Sequence, residues 1–264
     1  MNIFVAKLSS VTKAEDLQEI FSKFGEVISA KVIMDRETGF AAMLVERFTS
    51  YHRRSYVCKS GVGDVLIGAA ATIADFNGVE KASHVRDKLV EMTHLNETIY
   101  ATGIAASYQA HALKSGVYIC DDMLANVCKH HVTRFPYEIS RLAQDLAGGL
   151  MVTQPSEQDL DHPEIGALMR KYLQGRADIP TEDRLRILRL IENMTLGRNA
   201  VGYLTESLHG AGSPQAQRVQ ILRQMQLDFK KDLAKALAGI GSGDEVAAEF
   251  VDYMARVFTQ SSDG

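Results

Sequence analysis

From Phe40 onward, apolar residues recur at the spacing of about 3.6 that lines them along one stripe of an α-helix, and no stretch alternates as a half-buried strand does. A chain built this way must bury its stripes helix against helix. Phe40 to Asn77 reads as continuous apart from Gly61, Gly63 and Gly68; Glu80 to Gln109 follows; Val117 to Leu150 runs on with Pro136 inside it. Thr181, after Pro180 and before the acidic pair Glu182 and Asp183, is placed to cap a run to about His209. Ser213 with Pro214 is a cap followed by a first-turn proline, opening a helix to about Ala238. GIGSGD breaks the pattern before a last helix over Asp244 to Phe258 and a polar tail. Helices averaging over 25 residues with short connections predict a mainly α protein, an antiparallel bundle.

Residues 1–39 follow another pattern. Asn2 to Leu8 alternates as a strand, Lys13 to Phe24 carries Leu17, Ile20, Phe21 and Phe24 at helical spacing, and Val27 to Met34 is a second β-branched strand closed by the turn DRETG. "IFVAKL" and "DLQEIFSKFGEVISAKVIMDRETG" make this βαβ stretch resemble the first half of an RNA recognition motif. That family stacks single-stranded bases on aromatics of two central strands, one in this hexamer and others in a downstream octamer. Phe4 is the one stacking residue present, and FAAMLVERF stands where the octamer belongs. Without octamer, second helix and fourth strand, the fragment is not expected to bind RNA. The domain reading is therefore 1–39, a truncated βαβ fragment; 40–241, a helical bundle; and 242–264, a terminal helix and tail.

Composition narrows the partners. With 29 basic against 33 acidic residues and a formal charge of −4, no global field attracts nucleic acid. Three cysteines, Cys58, Cys120 and Cys128, make no disulfide framework and favour a reducing cytoplasm. The start MNIFVAKLSS lacks the form of a signal peptide, and the apolar run Val65 to Ala74 is far below the roughly 18 residues of a spanning helix, so no membrane role is expected.

Several constellations could carry chemistry. Two E-x-x-H pairs, Glu91/His94 and Glu206/His209, match half of a di-iron carboxylate recipe. Phase separates them. Glu91 and His94 lie about 120 to 180° from the stripe of Val85, Leu89, Met92, Asn96 and Ile99, so that pair reads as a solvated face. His209 lies nearer its stripe, flanked by Glu206, and could face a site. His52, Tyr56 and Lys59 stand at i, i+4 and i+7 beside Cys58, joining acid–base groups to a thiol that could bind metal. HGAGSPQAQR, from His209 to Arg218, frees the backbone at Gly210 and Gly212 and caps a helix at Ser213, which suits either an anion or a plain turn. Gly148 and Gly149 in RLAQDLAGGLM raise the same choice.

The strings "VERFTSYHRRSYVCKSGVGDVLIGAAATIADFNG", "KASHVRDKLVEMTHLNET", "NVCKHHVTRFPYEISRLAQDLAGGLMVTQPSE" and "TESLHGAGSPQAQR" closely resemble the C-terminal domain of the 4-hydroxybutyryl-CoA dehydratase/vinylacetyl-CoA isomerase family, from Phe40 to about Ile240. These flavoproteins are related to the 4-hydroxyphenylacetate 3-hydroxylases. The resemblance implies a bundle of acyl-CoA-dehydrogenase C-terminal type, FAD and a 4Fe-4S cluster as cofactors, an acyl-CoA substrate, dehydration to crotonyl-CoA, and a homo-oligomer. It implies His52 as cluster ligand and base, Cys58 as a second ligand, Tyr56 and Lys59 beside substrate and flavin, and Glu206 as acid or base. His209, Gly210, Gly212, Ser213, Gly148 and Gly149 would line the flavin's phosphates or adenosine. Two departures stand against it. The family has one more residue between tyrosine and cysteine, so Cys58 is swung about 100° from the face of His52 unless the helix bulges. The family's C-x-x-x-C ligand pair and middle β domain are missing, and a cluster needs four ligands, so this chain alone is not expected to turn over. The alternatives are a cluster-free aromatic hydroxylase relative, a helical oligomerisation module, and an RNA-binding protein.

Overall fold

The computed structural model describes residues 12–32 and 40–240, in two compact units, residues 1–46 and 47–264. The expected strand Asn2 to Leu8 with Phe4, and the helix over Asp244 to Phe258, lie outside the described residues. In the first unit α1 spans Ala14–Ser22, its start held by the Lys13 amide donating to the Asp16 carboxylate at 2.8 Å. Residues 27–32 form no strand, against expectation. Strand geometry needs a paired neighbour, and the stretch from Phe40, where the octamer strand belongs, is the start of a helix.

That helix, α2, spans Phe40–Ser55. A 3-10 turn at Tyr56–Cys58 separates it from α3, Lys59–Phe76; α4 follows over Ser83–Tyr108. A two-residue antiparallel pairing, β1 His111–Ala112 with β2 Tyr118–Ile119, leads into α5, Asp122–Val132, and α6, Phe135–Ala147. Short turns α7 (Leu150–Thr153), α8 (Glu157–Leu160) and α9 (Gly166–Tyr172) precede α10, Thr181–Thr195. A 3-10 turn, Asn199–Gly202, then α11 (Thr205–His209), α12 (Pro214–Gln224) and α13 (Leu227–Leu237) complete the described chain.

The helices are shorter than the run lengths predicted, each break having a local cause. Val117 to Leu150 is not one helix: it opens with β2, α5 starts only at Asp122, and Pro136 lies in the first turn of a separate helix, α6, where its missing N–H costs nothing. Gly148 ends α6 at φ 71°, a conformation a side chain resists, which accounts for the first glycine of the AGG sequence. The run from Thr181 stops at Thr195, and the run from Ser213 turns at Gln226, φ 48°. Thr181 does not cap: its hydroxyl donates to the Arg170 carbonyl at 2.9 Å, and Pro180 occupies the cap position. Ser213 caps as expected, accepting from the Ala216 amide at 3.3 Å.

The core lies where α3, α4, α6 and α10 meet, and is built from Leu66, Ala70 and Ile73, Met92, Ile139 and Ala143, Leu188 and Ile191. Alanines on α3 and α6 let these helices approach closely. Gly63 serves the same end against α4, since a Cβ there would collide with the Asn96 amide. By length and composition, Met43–Phe76 could cross a membrane. Its second half is instead the central helix of the bundle, with Leu66, Ala70 and Ile73 wholly enclosed by protein. Leu66→Ala is expected to lower unfolding free energy by about 2–5 kcal/mol in urea melts, because four converging helices cannot collapse into the void.

Candidate functional site

Tyr56, Lys59 and Glu206 come together from opposite ends of the chain. The Tyr56 hydroxyl donates to Glu206 Oε1 at 2.6 Å, Lys59 Nζ pairs with Glu206 Oε2, and Lys59 also donates to the Gly202 carbonyl at 2.6 Å. The 3-10 turn makes this possible by bringing Tyr56 inward, to 6% exposure, while Lys59 opens α3 one turn on. Gly210 completes the fit: a Cβ there would collide with the Tyr56 hydroxyl and approach the Glu206 carbonyl to 2.9 Å.

Charge sets the protonation states. Burial opposes ionisation of Glu206, but hydrogen bonds from Lys59 and Tyr56, with the charges of Lys59 and Lys129, outweigh it and hold the carboxyl below its ordinary value. Burial raises the Tyr56 phenol, and its bond to Glu206 adds to this, so it remains a neutral donor. Glu206 is thereby a carboxylate able to accept a proton, and Tyr56 a hydrogen-bond donor beside it.

Other predicted residues stand differently. His52 is exposed, its ring 5.8 Å from that of Tyr56 and 5.9 Å from that of Phe48. Cys58 is also exposed. The helix tightens between them instead of bulging, and steps of about 120° over the 3-10 turn recover roughly 60° of the rotation that the shorter spacing removes. Burial pushes the thiol of Cys128 up to about 12 and raises that of Cys120. No group of three or more His, Cys, Asp and Glu side chains gathers among the described residues. The donor set therefore does not fit a 4Fe-4S cluster held by this chain alone, nor a di-iron site. Glu91 and His94 are solvent-facing, as phase predicted. His209 is exposed at the end of α11 rather than facing a site, because the helix expected to carry it is broken before it.

The glycine segments have structural explanations. Gly210 admits Tyr56, Gly212 takes φ 99° beside Arg53, and the Ser213 hydroxyl is spent on its cap. Gly148 and Gly149 border open space, with nothing within 4 Å of a Cβ built at either. Sequence reasoning missed Arg53, Asn126 and Lys129. Arg53 donates to the Ala211 carbonyl at 3.0 Å and to the Asn126 side chain; Lys129 donates to the Ser207 carbonyl. A signal was present: Lys129 falls in phase with Ala125, Cys128 and Val132 on the buried stripe of α5.

Residues 41–239 match the family described as 4-hydroxyphenylacetate 3-hydroxylase C terminal. The chain belongs to this family. A 4-hydroxybutyryl-CoA dehydratase/vinylacetyl-CoA-Δ-isomerase of Clostridium aminobutyricum is 57% identical over 219 residues, 80% of this chain and 45% of that protein. A solved oxygen-tolerant archaeal 4-hydroxybutyryl-CoA dehydratase of N. maritimus superposes with TM-score 0.74 at 74% identity, over 78% of this chain and 41% of that one. The oxygenase component of 4-hydroxyphenylacetate 3-monooxygenase, solved with FAD and 4-hydroxyphenylacetate, shares the fold at TM-score 0.62 and 21% identity, over 70% of this chain and 40% of that one. The bundle is thus of acyl-CoA-dehydrogenase C-terminal type, and the chain spans less than half the length of these relatives. Residues 3–47 match the RNA recognition motif, overlapping the first match at 41–47.

Gly210→Ala is expected to displace Tyr56 from Glu206 and to lower stability by about 1–3 kcal/mol in thermal melts. A carboxyl whose folded value is depressed contributes stability above its unfolded value and loses it as pH falls through the folded one. The stability difference between wild type and Glu206→Gln should therefore shrink on acidification, as read by melts across a pH series.

Proposed function

We propose that residues 40–240 are the C-terminal helical domain of a 4-hydroxybutyryl-CoA dehydratase/vinylacetyl-CoA isomerase-like flavoprotein, and that Glu206 with Tyr56 forms its proton-handling centre. The observation that carries this reading is the Tyr56–Glu206–Lys59 constellation, lying in a stretch more than half identical to such an enzyme. Dehydration removes a proton from carbon and a hydroxyl from its neighbour, leaving a double bond and water. An ionised Glu206 is suited to take the proton; Tyr56 and Lys59 fix its orientation and stabilise the carboxylate between cycles.

FAD, and a 4Fe-4S cluster to which His52 and Cys58 would contribute two ligands, belong to the proposal as groups completed by segments this chain does not contain. FAD supplies redox chemistry when bound; the chemistry assigned to these residues is proton transfer and positioning. The exposed side chains of Tyr100, Ile104 and Tyr108, one turn apart on α4, offer an apolar stripe for a homo-oligomer. The three free thiols suit a cytoplasmic protein. The aromatic hydroxylase alternative is disfavoured because the solved oxygenase is 21% identical where the solved dehydratase is 74% identical.

The test is reconstitution with the N-terminal and middle portions of a dehydratase, followed by assay of crotonyl-CoA formed from 4-hydroxybutyryl-CoA. Turnover is expected, and Glu206→Gln should cut kcat by about 10²–10⁴ while leaving the flavin bound. Turnover unchanged in Glu206→Gln, or none in a correctly assembled wild type, would overturn the assignment.

A further inference from the structure

Lys129 is the largest wholly enclosed side chain among the described residues, and it carries an ammonium group. Taking a cation out of water costs several kcal/mol unless hydrogen bonds and an opposite charge offset it. The offsets here are specific. Nζ donates to the carbonyl of Ser207, next to Glu206 in sequence, and lies over the Tyr56 ring at 4.5 Å from its centroid. Among the described residues no carboxylate is in ion-pair contact with it. The attraction it feels comes from Glu206, whose Oε2 already pairs with Lys59.

Charge around this carboxylate is therefore unbalanced. Lys59 and Tyr56 face Glu206 from the first long helical segment, and Lys129 from α5; Arg53, Lys59 and Cys128 face Lys129 in turn. Arg53, 3% exposed, has hydrogen bonds to the Ala211 carbonyl and the Asn126 amide oxygen and no carboxylate partner among the described residues. Two cations, Lys59 and Lys129, thus act on one carboxylate, and a third, Arg53, stands beside Lys129.

We propose that Lys129 is a positioning residue for the Glu206–Tyr56 pair, its buried charge holding Glu206 ionised while its bond to Ser207 and its seat on the Tyr56 ring fix where the two meet. This rests on the functional reading above and deepens it by adding a residue from α5. The surplus of cations accounts for both sides of the balance. Burial, with the neighbouring Arg53 and Lys59 charges, lowers the Lys129 ammonium to about 8 against the pull of Glu206, and the same field depresses Glu206. Coupling of this kind is reciprocal. Whatever Lys129 does to Glu206, Glu206 must do to Lys129 with the opposite sign.

The test needs no turnover and uses the chain as it stands. The side-chain carboxyl of Glu206 is titrated by 13C NMR in wild type, Lys129→Met and Lys129→Arg. Lys129→Met keeps the apolar stem and is expected to move the Glu206 titration to higher pH; Lys129→Arg keeps the charge and should restore it towards wild type. A folded Lys129→Met with an unmoved Glu206 titration would overturn the proposal, since a lysine acting only as a packing strut predicts that result. Should Lys129→Met fail to fold, the reciprocal measurement decides: the 15N titration of Lys129 should move to lower pH in Glu206→Gln, and an unmoved value rejects the coupling. In the reconstituted enzyme, the acid limb of the kcat/KM profile should follow the same shift in Lys129→Met. Absence of turnover with these NMR shifts intact would sink the functional reading and leave the electrostatic coupling standing.

Discussion

The carboxylate of Glu206 ties the chain between α10 and α12 to the first long helical segment. Its helix, α11, has five residues, too few to hold a helical conformation unaided. What fixes it is contact with residues remote in sequence: Tyr56 and Lys59 on Glu206 itself, and Lys129 on the following carbonyl. The next segment is held the same way, Arg53 binding the Ala211 carbonyl and Gly210 lying flat against Tyr56. Apolar burial of Ala200 and Tyr203, with Leu196 and Leu204 against the core, anchors the start of this segment, and the charge cluster holds its end.

The cluster depends on a local departure from helical regularity. A continuous α-helix from Phe40 to Phe76 would keep Tyr56 and Lys59 on one side at the cost of rotating Cys58 well away from His52. Tightening to a 3-10 turn at Tyr56–Cys58 lets Tyr56 enter the core and Lys59 start a fresh helix beside it. Val57 uses the same turn to pack against Gly103 of α4, where a Cβ would collide with it. A break that weakens the helix thus serves two contacts, one apolar and one polar.

The seam between the two parts of the chain is narrower than a change of wording suggests. Residues 41–47 fall within both family matches, and they are helical. A stretch beginning GF with an apolar run can stand for a third strand in one family and a helix start in the other, because apolar runs this short carry no period of their own. In this structure the stretch from Phe40 is helix.

The sequence by itself determined the class of fold, the stripes that bury α3, α4, α6 and α10, the solvated face of Glu91 and His94, and the cap at Ser213. These follow from periodicity and short-range hydrogen bonding, which are local properties. It also held the family wording and the types of residue at His52, Tyr56, Lys59 and Glu206. Only the tertiary structure decided that Tyr56, Lys59 and Glu206 meet while His52, Cys58 and His209 stay at the surface, that Gly210 exists to admit a tyrosine, and that a lysine in an apolar stripe is buried beside the carboxylate. Each of those depends on which remote segments come together, and long-range charge and close packing leave no periodic trace along a chain.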